Sequence, residues 1–253
     1  MSALAARAGN GLARLATAEE NAGGNEWRPW YRTGAFAAIA VVALIPIQAA
    51  VFIAWPTPTG AGAVFALFDE SAFAGLLAFD LLLMGSWILS VLMFLGLYAA
   101  MRRERAALIT VALLTELVAV AIYFSSNTAF SLLGLSQQHA AATTQEERSL
   151  LLSAGQAMLA LYTGTGFNVS YVLSGVGALL AGLAMLRSSV FGRVTAYVGI
   201  AYAAMQLLPP TAGAPGMAAS LASLLPMVVW LILIARALLR MPASDAPPSG
   251  RVG

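Results

Sequence analysis

The chain has no cysteine, no lysine and one histidine, His139. Each shortage removes a class of chemistry. Without cysteine there is no disulfide, thiolate metal site, c-type haem attachment or cysteine nucleophile. Without lysine there is no Schiff base to retinal or pyridoxal phosphate, and no lysine to complete a phosphate-binding loop. One histidine and no cysteine leave too few ligands for a protein-only zinc site. No cofactor is therefore implied. The net charge of +2 is too small to suggest a nucleic-acid partner.

Charge is the other shortage. Only 9% of the 253 residues are charged, while 60% are hydrophobic. Soluble domains carry about a quarter charged residues, and a chain this apolar has too little polar surface to face water. The lipid bilayer is the solvent it fits. The expected fold is all-α, a polytopic transmembrane bundle of six spans with an interfacial helix before the fourth.

Residues 1–32 read as a cytoplasmic tail, ending in the interfacial aromatics Trp27, Trp30 and Tyr31. Residues 33–240 are the transmembrane domain, and the Pro-, Ser- and Gly-rich residues 241–253 form a disordered cytoplasmic tail. Within the domain the apolar runs predict spans over 33–55, 72–98, 106–124, 167–186, 194–208 and 217–235. A hydrocarbon core needs about 20 residues of helix. Residues 64–71 read as a short interfacial piece, and 150–162 as a helix on the outer surface. Pro46 and Pro226 are expected to kink the first and last spans.

All 13 basic residues are arginine. With an internal amino terminus, six spans leave only Arg148 outside, which is what the cytoplasmic preference of arginine asks for. The localisation expected is the cell's inner or plasma membrane, with both termini cytoplasmic.

Two carboxylates interrupt the apolar runs, Asp80 and Glu116. Intramembrane carboxylates are costly and mark functional candidates. At 1.5 Å per residue Glu116 lies roughly 16 Å from Arg105, near the midplane, and Asp80 roughly 33 Å from Arg102, near the outer surface. That difference in depth disfavours a paired-carboxylate acid–base mechanism. The same measure puts Gln48, Tyr123, Asn127, Asn168, Tyr171 and Gln206 in the outer half, at roughly 20–33 Å. The inner half has mainly Ser90 and Tyr197. This asymmetry predicts an outward-facing polar cavity with Asp80 at its mouth and Glu116 at its floor. Its alternative is a set of separate interhelical hydrogen bonds, each contributing about 0.6 kcal/mol. Glu116 itself reads either as a proton or cation site, or as a carboxyl bonded to a carbonyl freed by Pro46 or Pro226.

Ser174, Ala178 and Gly182, four residues apart, read as a close-packing stripe. His139 reads as a solvated loop residue, and Glu146-Glu147-Arg148 as the start of a helix.

Short motifs also resemble the bacterial six-span membrane proteins of domain-of-unknown-function family 4386. They are Arg32-Thr33-Gly34-Ala35, Leu97-Tyr98-Ala99-Ala100, and the run from Leu186 through Arg187, Ser188, Ser189, Val190, Phe191 and Gly192 to Arg193. Gly199, Trp230 and Arg236 fit the same pattern, over residues 32–240. The resemblance implies a bacterial membrane protein and brings no catalytic residue. Three functions remain open. The first is non-enzymatic binding of a small polar or cationic ligand, or of a protein partner, through the outer cavity. The second is small-solute or proton-coupled transport using Glu116, and the third is an intramembrane enzyme, for which no catalytic motif is visible.

Overall fold

A computed structural model describes residues 26–56, 58–79 and 81–241. Most of the two expected tails, together with Thr57 and the candidate site residue Asp80, lie outside the described residues. These residues are all-α and form ten helices: α1 (Arg28–Ala54), α2 (Ala61–Glu70), α3 (Ala72–Ala78), α4 (Leu81–Met101), α5 (Ala106–Ser126), α6 (Ala129–Ala141), α7 (Gln145–Tyr162), α8 (Thr165–Met185), α9 (Arg193–Gln206) and α10 (Gly213–Leu239).

Six of these close a ring, in the order α1, α4, α5, α8, α9, α10 and back to α1. Five stretches of the chain are long and apolar enough to cross a membrane: Arg28–Ala54, Leu81–Met101, Ala106–Ala141, Gln145–Met185 and Gly213–Leu239. The protein is thus a multi-pass membrane protein, and each stretch contains one ring helix. The remaining ring member, α9, has 14 residues, a length of about 21 Å.

Small residues set the ring's closeness. A Cβ on Gly34 would lie 2.8 Å from Gly96 Cα, so the backbones of α1 and α4 meet there, with Leu238 of α10 wedged beside them. The predicted stripe on α8 is a packing surface: Ala178 is buried, and a Cβ on Gly182 would lie 2.9 Å from Ile200. The ring's core is apolar, including Leu97, Met101, Ile109, Met185, Trp230, Ile234 and Leu238. Pro46 and Pro226 both lie inside continuous helices, α1 and α10.

The other four helices, α2, α3, α6 and α7, pack on one another over Val64, Phe65, Phe68, Ala78, Phe79, Ala129 and Leu132. They form a cap at the end of the ring where α1 and α5 finish and α4 and α8 begin. Aromatic contacts bind it: Phe68 stacks on Phe79 at 5.8 Å, and Tyr162 meets Phe79 edge-on at 5.4 Å. Such pairs contribute about 0.5–1.5 kcal/mol beyond their buried area. Thr144 caps α7 by accepting from Glu147 N, while Glu147 Oε2 accepts from Thr143 N. This near-reciprocal pair resembles a capping box and explains the helix start read at Glu146-Glu147-Arg148.

Four local expectations need correction. The second span, expected as one helix over 72–98, is divided: α3 ends at Ala78 and α4 begins at Leu81, because Phe79 turns inward to the cap core, where it is fully buried. The stretch after Asn127, expected as loop, contains α6. His139 therefore lies on a helix, with its ring 5.3 Å from that of Phe65. Tyr31, expected at the lipid interface, is buried and accepts a 3.4 Å hydrogen bond from Arg102.

Arginines gather at the opposite end. Arg28, Arg32, Arg102, Arg103, Arg105, Arg187, Arg193, Arg236 and Arg240 all lie at or beyond helix ends away from the cap, whereas Arg148 sits on the cap. The Arg102 guanidinium stacks 3.8 Å over the Trp27 ring. The two loops of this end are fastened together. Glu104 accepts from the backbone N–H (2.9 Å) and the hydroxyl of Ser189, and Arg105 donates to the Arg187 carbonyl at 3.2 Å. Burial pushes the Glu104 carboxyl up, but the hydrogen bonds from Ser189 and Ser188 and the charge of Arg105 outweigh it, leaving it below the usual carboxylate range.

Candidate functional site

Glu116 occupies the middle of α5, roughly 15 Å from Ser126 at the cap end of that helix. Only 1% of it is exposed. Of the described acidic residues it alone lies inside a ring helix. Its Oε1 lies within hydrogen-bond distance of Ser90 Oγ of α4, at 2.5 Å. Its Oε2 is buried with no hydrogen-bond partner. The Ser174 hydroxyl of α8 approaches the carboxyl without closing a hydrogen bond to that oxygen. Gly177 makes room: a Cβ there would lie 3.5 Å from Oε2 and 3.3 Å from the Ala112 carbonyl. Of the two readings of Glu116, the bond to a carbonyl freed by proline is not seen; the carboxyl contacts Ser90 instead. Glu116 faces across the ring to the neighbouring helices and reaches a hydroxyl first.

A second set of polar side chains lies beside it on α8, α9 and α10. Gln206 Nε2 donates to Tyr202 Oη at 3.0 Å, while Ser223 Oγ donates to the Ser220 carbonyl at 2.7 Å and lies 3.5 Å from Gln206 Oε1. Tyr171 Oη donates to Ser220 Oγ at 3.0 Å. Tyr202 is within electrostatic reach of both Glu116 and Tyr171. Gly175 lets α9 come this close, since a Cβ there would lie 2.9 Å from Gln206 Cβ.

Of the eight candidate cavity residues, the structure thus draws Glu116, Tyr171 and Gln206 together. The others part company. Tyr123 is buried and stacks on Trp87, with ring centroids 4.7 Å apart. Asn127 caps the end of α5, its Oδ1 accepting from Ala129 N at the start of α6 at 3.1 Å. Asn168 donates to the Gly164 carbonyl at 2.8 Å and bonds Thr211, tying the start of α8 to the loop before α10. Gln48 is half-buried on α1, and Asp80 lies outside the described residues. A hollow of about 370 Å³ at the junction of cap and ring is lined by none of them; Pro58, Gly60, Phe79, Gln156, Tyr162 and Thr163 are on its wall.

Sequence reasoning missed Ser90 as the partner of Glu116, and missed Tyr202, Ser220 and Ser223 altogether. Helical spacing offered a signal: Tyr202 and Gln206 are four apart and share a face. Across the molecule, no group of three or more metal-binding side chains occurs among the described residues.

Comparison with known proteins finds nothing to set beside this site: no family model, no curated protein and no solved structure matches the chain.

Proposed function

We propose that the chain is a six-span protein of the bacterial inner membrane that takes up and releases a proton at Glu116, in step with a small polar or cationic solute reached from the cap side. The observation that carries this reading is the geometry at Ser90. Its hydroxyl lies 2.5 Å from Glu116 Oε1 and 2.7 Å from the Trp87 carbonyl. A hydroxyl has one proton, and a carbonyl only accepts. Both contacts are full hydrogen bonds when Glu116 carries a proton of its own and Ser90 gives its proton to Trp87. A neutral carboxyl also suits a bilayer centre, where a bare charge is costly, and no basic group is among those acting on Glu116.

Six spans follow when α9, with Leu207 and Leu208 beyond it, crosses as the other ring helices do. An even number keeps Arg28 and Arg32 on the same side as Arg236 and Arg240, as the cytoplasmic preference of arginine favours. The arginine end and both tails are then cytoplasmic, and the cap, with α7 as its interfacial helix, faces outward.

A second reading, ligand or partner binding with no proton exchange, is favoured by the hollow at the cap junction. The two separate on a solid-supported membrane carrying reconstituted protein. Concentration steps of sodium, ammonium and tetramethylammonium should give a transient current for at least one cation. That current should vanish in Glu116→Gln, which still elutes as folded protein. The absence of any Glu116-dependent current contradicts the coupled reading.

A further inference from the structure

The side chains packed next to Glu116 differ on its two sides. Toward the arginine end the core beyond it is built from Ile109, Ala112, Leu113, Met93, Leu97 and Met185, all buried and apolar. Toward the cap, Tyr202, Gln206 and Ser223 are buried, while Tyr171 and Ser220 are only half-buried. These five polar side chains therefore run from the depth of Glu116 toward the outside. Tyr171 lies roughly 9 Å from the cap end of α8, and Ser174 roughly 14 Å, level with Glu116. Hydrogen bonds link Tyr202 to Gln206 and Tyr171 to Ser220, and Ser223 joins the two sets, bonded to the Ser220 carbonyl at 2.7 Å and 3.5 Å from Gln206 Oε1.

From this one-sided strip we propose that Tyr202, Gln206, Ser223, Ser220 and Tyr171 line the route by which water, and with it the proton, passes between Glu116 and the cap side. The inference rests on the reading of Glu116 as a proton site. The chemistry is a simple exchange. A water molecule accepts the carboxyl proton, leaving carboxylate and hydronium, and the excess proton moves outward from one water to the next. Return reverses each step, so atoms and charge balance without a further reactant. The hydroxyls and the Gln206 amide supply the hydrogen bonds that a file of water needs in an apolar bundle. Gly175 allows the strip to form, because any side chain there would push Gln206 away from α8.

The test is infrared spectroscopy of the full chain in lipid nanodiscs, moved from water into heavy water. The carbonyl band of a protonated Glu116, identified by its loss in Glu116→Gln, shifts as its proton is replaced by deuterium. Both faces of a nanodisc meet the solvent, so a variant slows exchange only if it blocks the route in use. Gln206→Leu should slow the shift about tenfold. Tyr171→Phe and Ser223→Ala, gentler changes that guard against misfolding, should each slow it measurably. Thr195→Val, a buried change in the arginine half, should leave the rate unaltered. Equal rates in wild type, Gln206→Leu, Tyr171→Phe and Ser223→Ala would overturn the route while sparing the proton site. A wild-type spectrum with no such band would overturn both.

Discussion

The two halves of the helix ring are built by different rules. On the arginine side contact is made by shape: Gly34 meets Gly96 backbone to backbone, and Trp230 lies on Gly199, where an added Cβ would come within 2.4 Å of the indole nitrogen. On the cap side contact is made through polar groups, with Tyr202, Gln206, Ser223, Ser220 and Tyr171 sharing hydrogen bonds. Lipid offers no hydrophobic drive between helices, so a bundle must use close packing or hydrogen bonds. This ring relies mainly on close packing on the arginine side and adds a set of buried hydrogen bonds on the cap side. The difference suggests a division of labour, in which the shape-fitted half holds the helices and the polar half admits solvent.

Stability measurements should break or sharpen this contrast. The largest loss is expected from Trp230→Ala, which empties a fully buried site in the shape-fitted half. It should cost about 3–5 kcal/mol in reversible unfolding from micelles. Gly34→Ala comes next, because its new methyl meets backbone that cannot yield like a flexible side chain. About 1–3 kcal/mol is expected, read in the same unfolding assay. On the polar side Gln206→Leu should cost only about 0.6 kcal/mol per hydrogen bond removed. A loss as large as that of Trp230→Ala would mean that the polar half carries the fold as well.

The smallest effect is expected at the loops of the arginine end. Glu104 is exposed and lightly buried, so the clamp to Ser189 contributes no more than about 1 kcal/mol after solvent screening. Because its carboxyl is held below the ordinary value of 4.5, its contribution is fully present above that pH and fades as pH falls through the lowered folded value. Glu104→Ala should lower the melting temperature by no more than about 4 °C at neutral pH. The gap to wild type should close on acidification. A gap that widens on acidification would contradict the sign.

The polar asymmetry was already legible in the sequence, because depth along a straight helix needs only residue counting. Glu116, Tyr171 and Gln206 were grouped that way; Tyr202, which bonds Gln206, is within electrostatic reach of the other two. Asn127 and Asn168 were grouped with them by depth alone, yet they sit at helix ends and satisfy local backbone groups. Depth gives no rotation about the helix axis, and rotation decides which polar residues meet. The cap was hidden for another reason. Phe79 ends an apolar run just before Asp80, and its own residue type does not distinguish a phenylalanine facing lipid from one turned into a neighbouring aromatic cluster. His139 was misread for the same cause, since its helix is held by the cap. The single bond that carries the functional reading, Ser90 to Glu116, joins the neighbouring ring helices α4 and α5, and serine is common enough in membrane helices to give no warning.

The proton on Glu116 is the central claim, and its carbonyl band in the infrared is the most direct test. Wild-type protein in nanodiscs at neutral pH should show the absorption of a protonated, singly hydrogen-bonded carboxyl. The band should be missing in Glu116→Gln and moved in Ser90→Ala, which removes the partner of Oε1. A spectrum in which Glu116 contributes only carboxylate absorption at neutral pH would contradict the account.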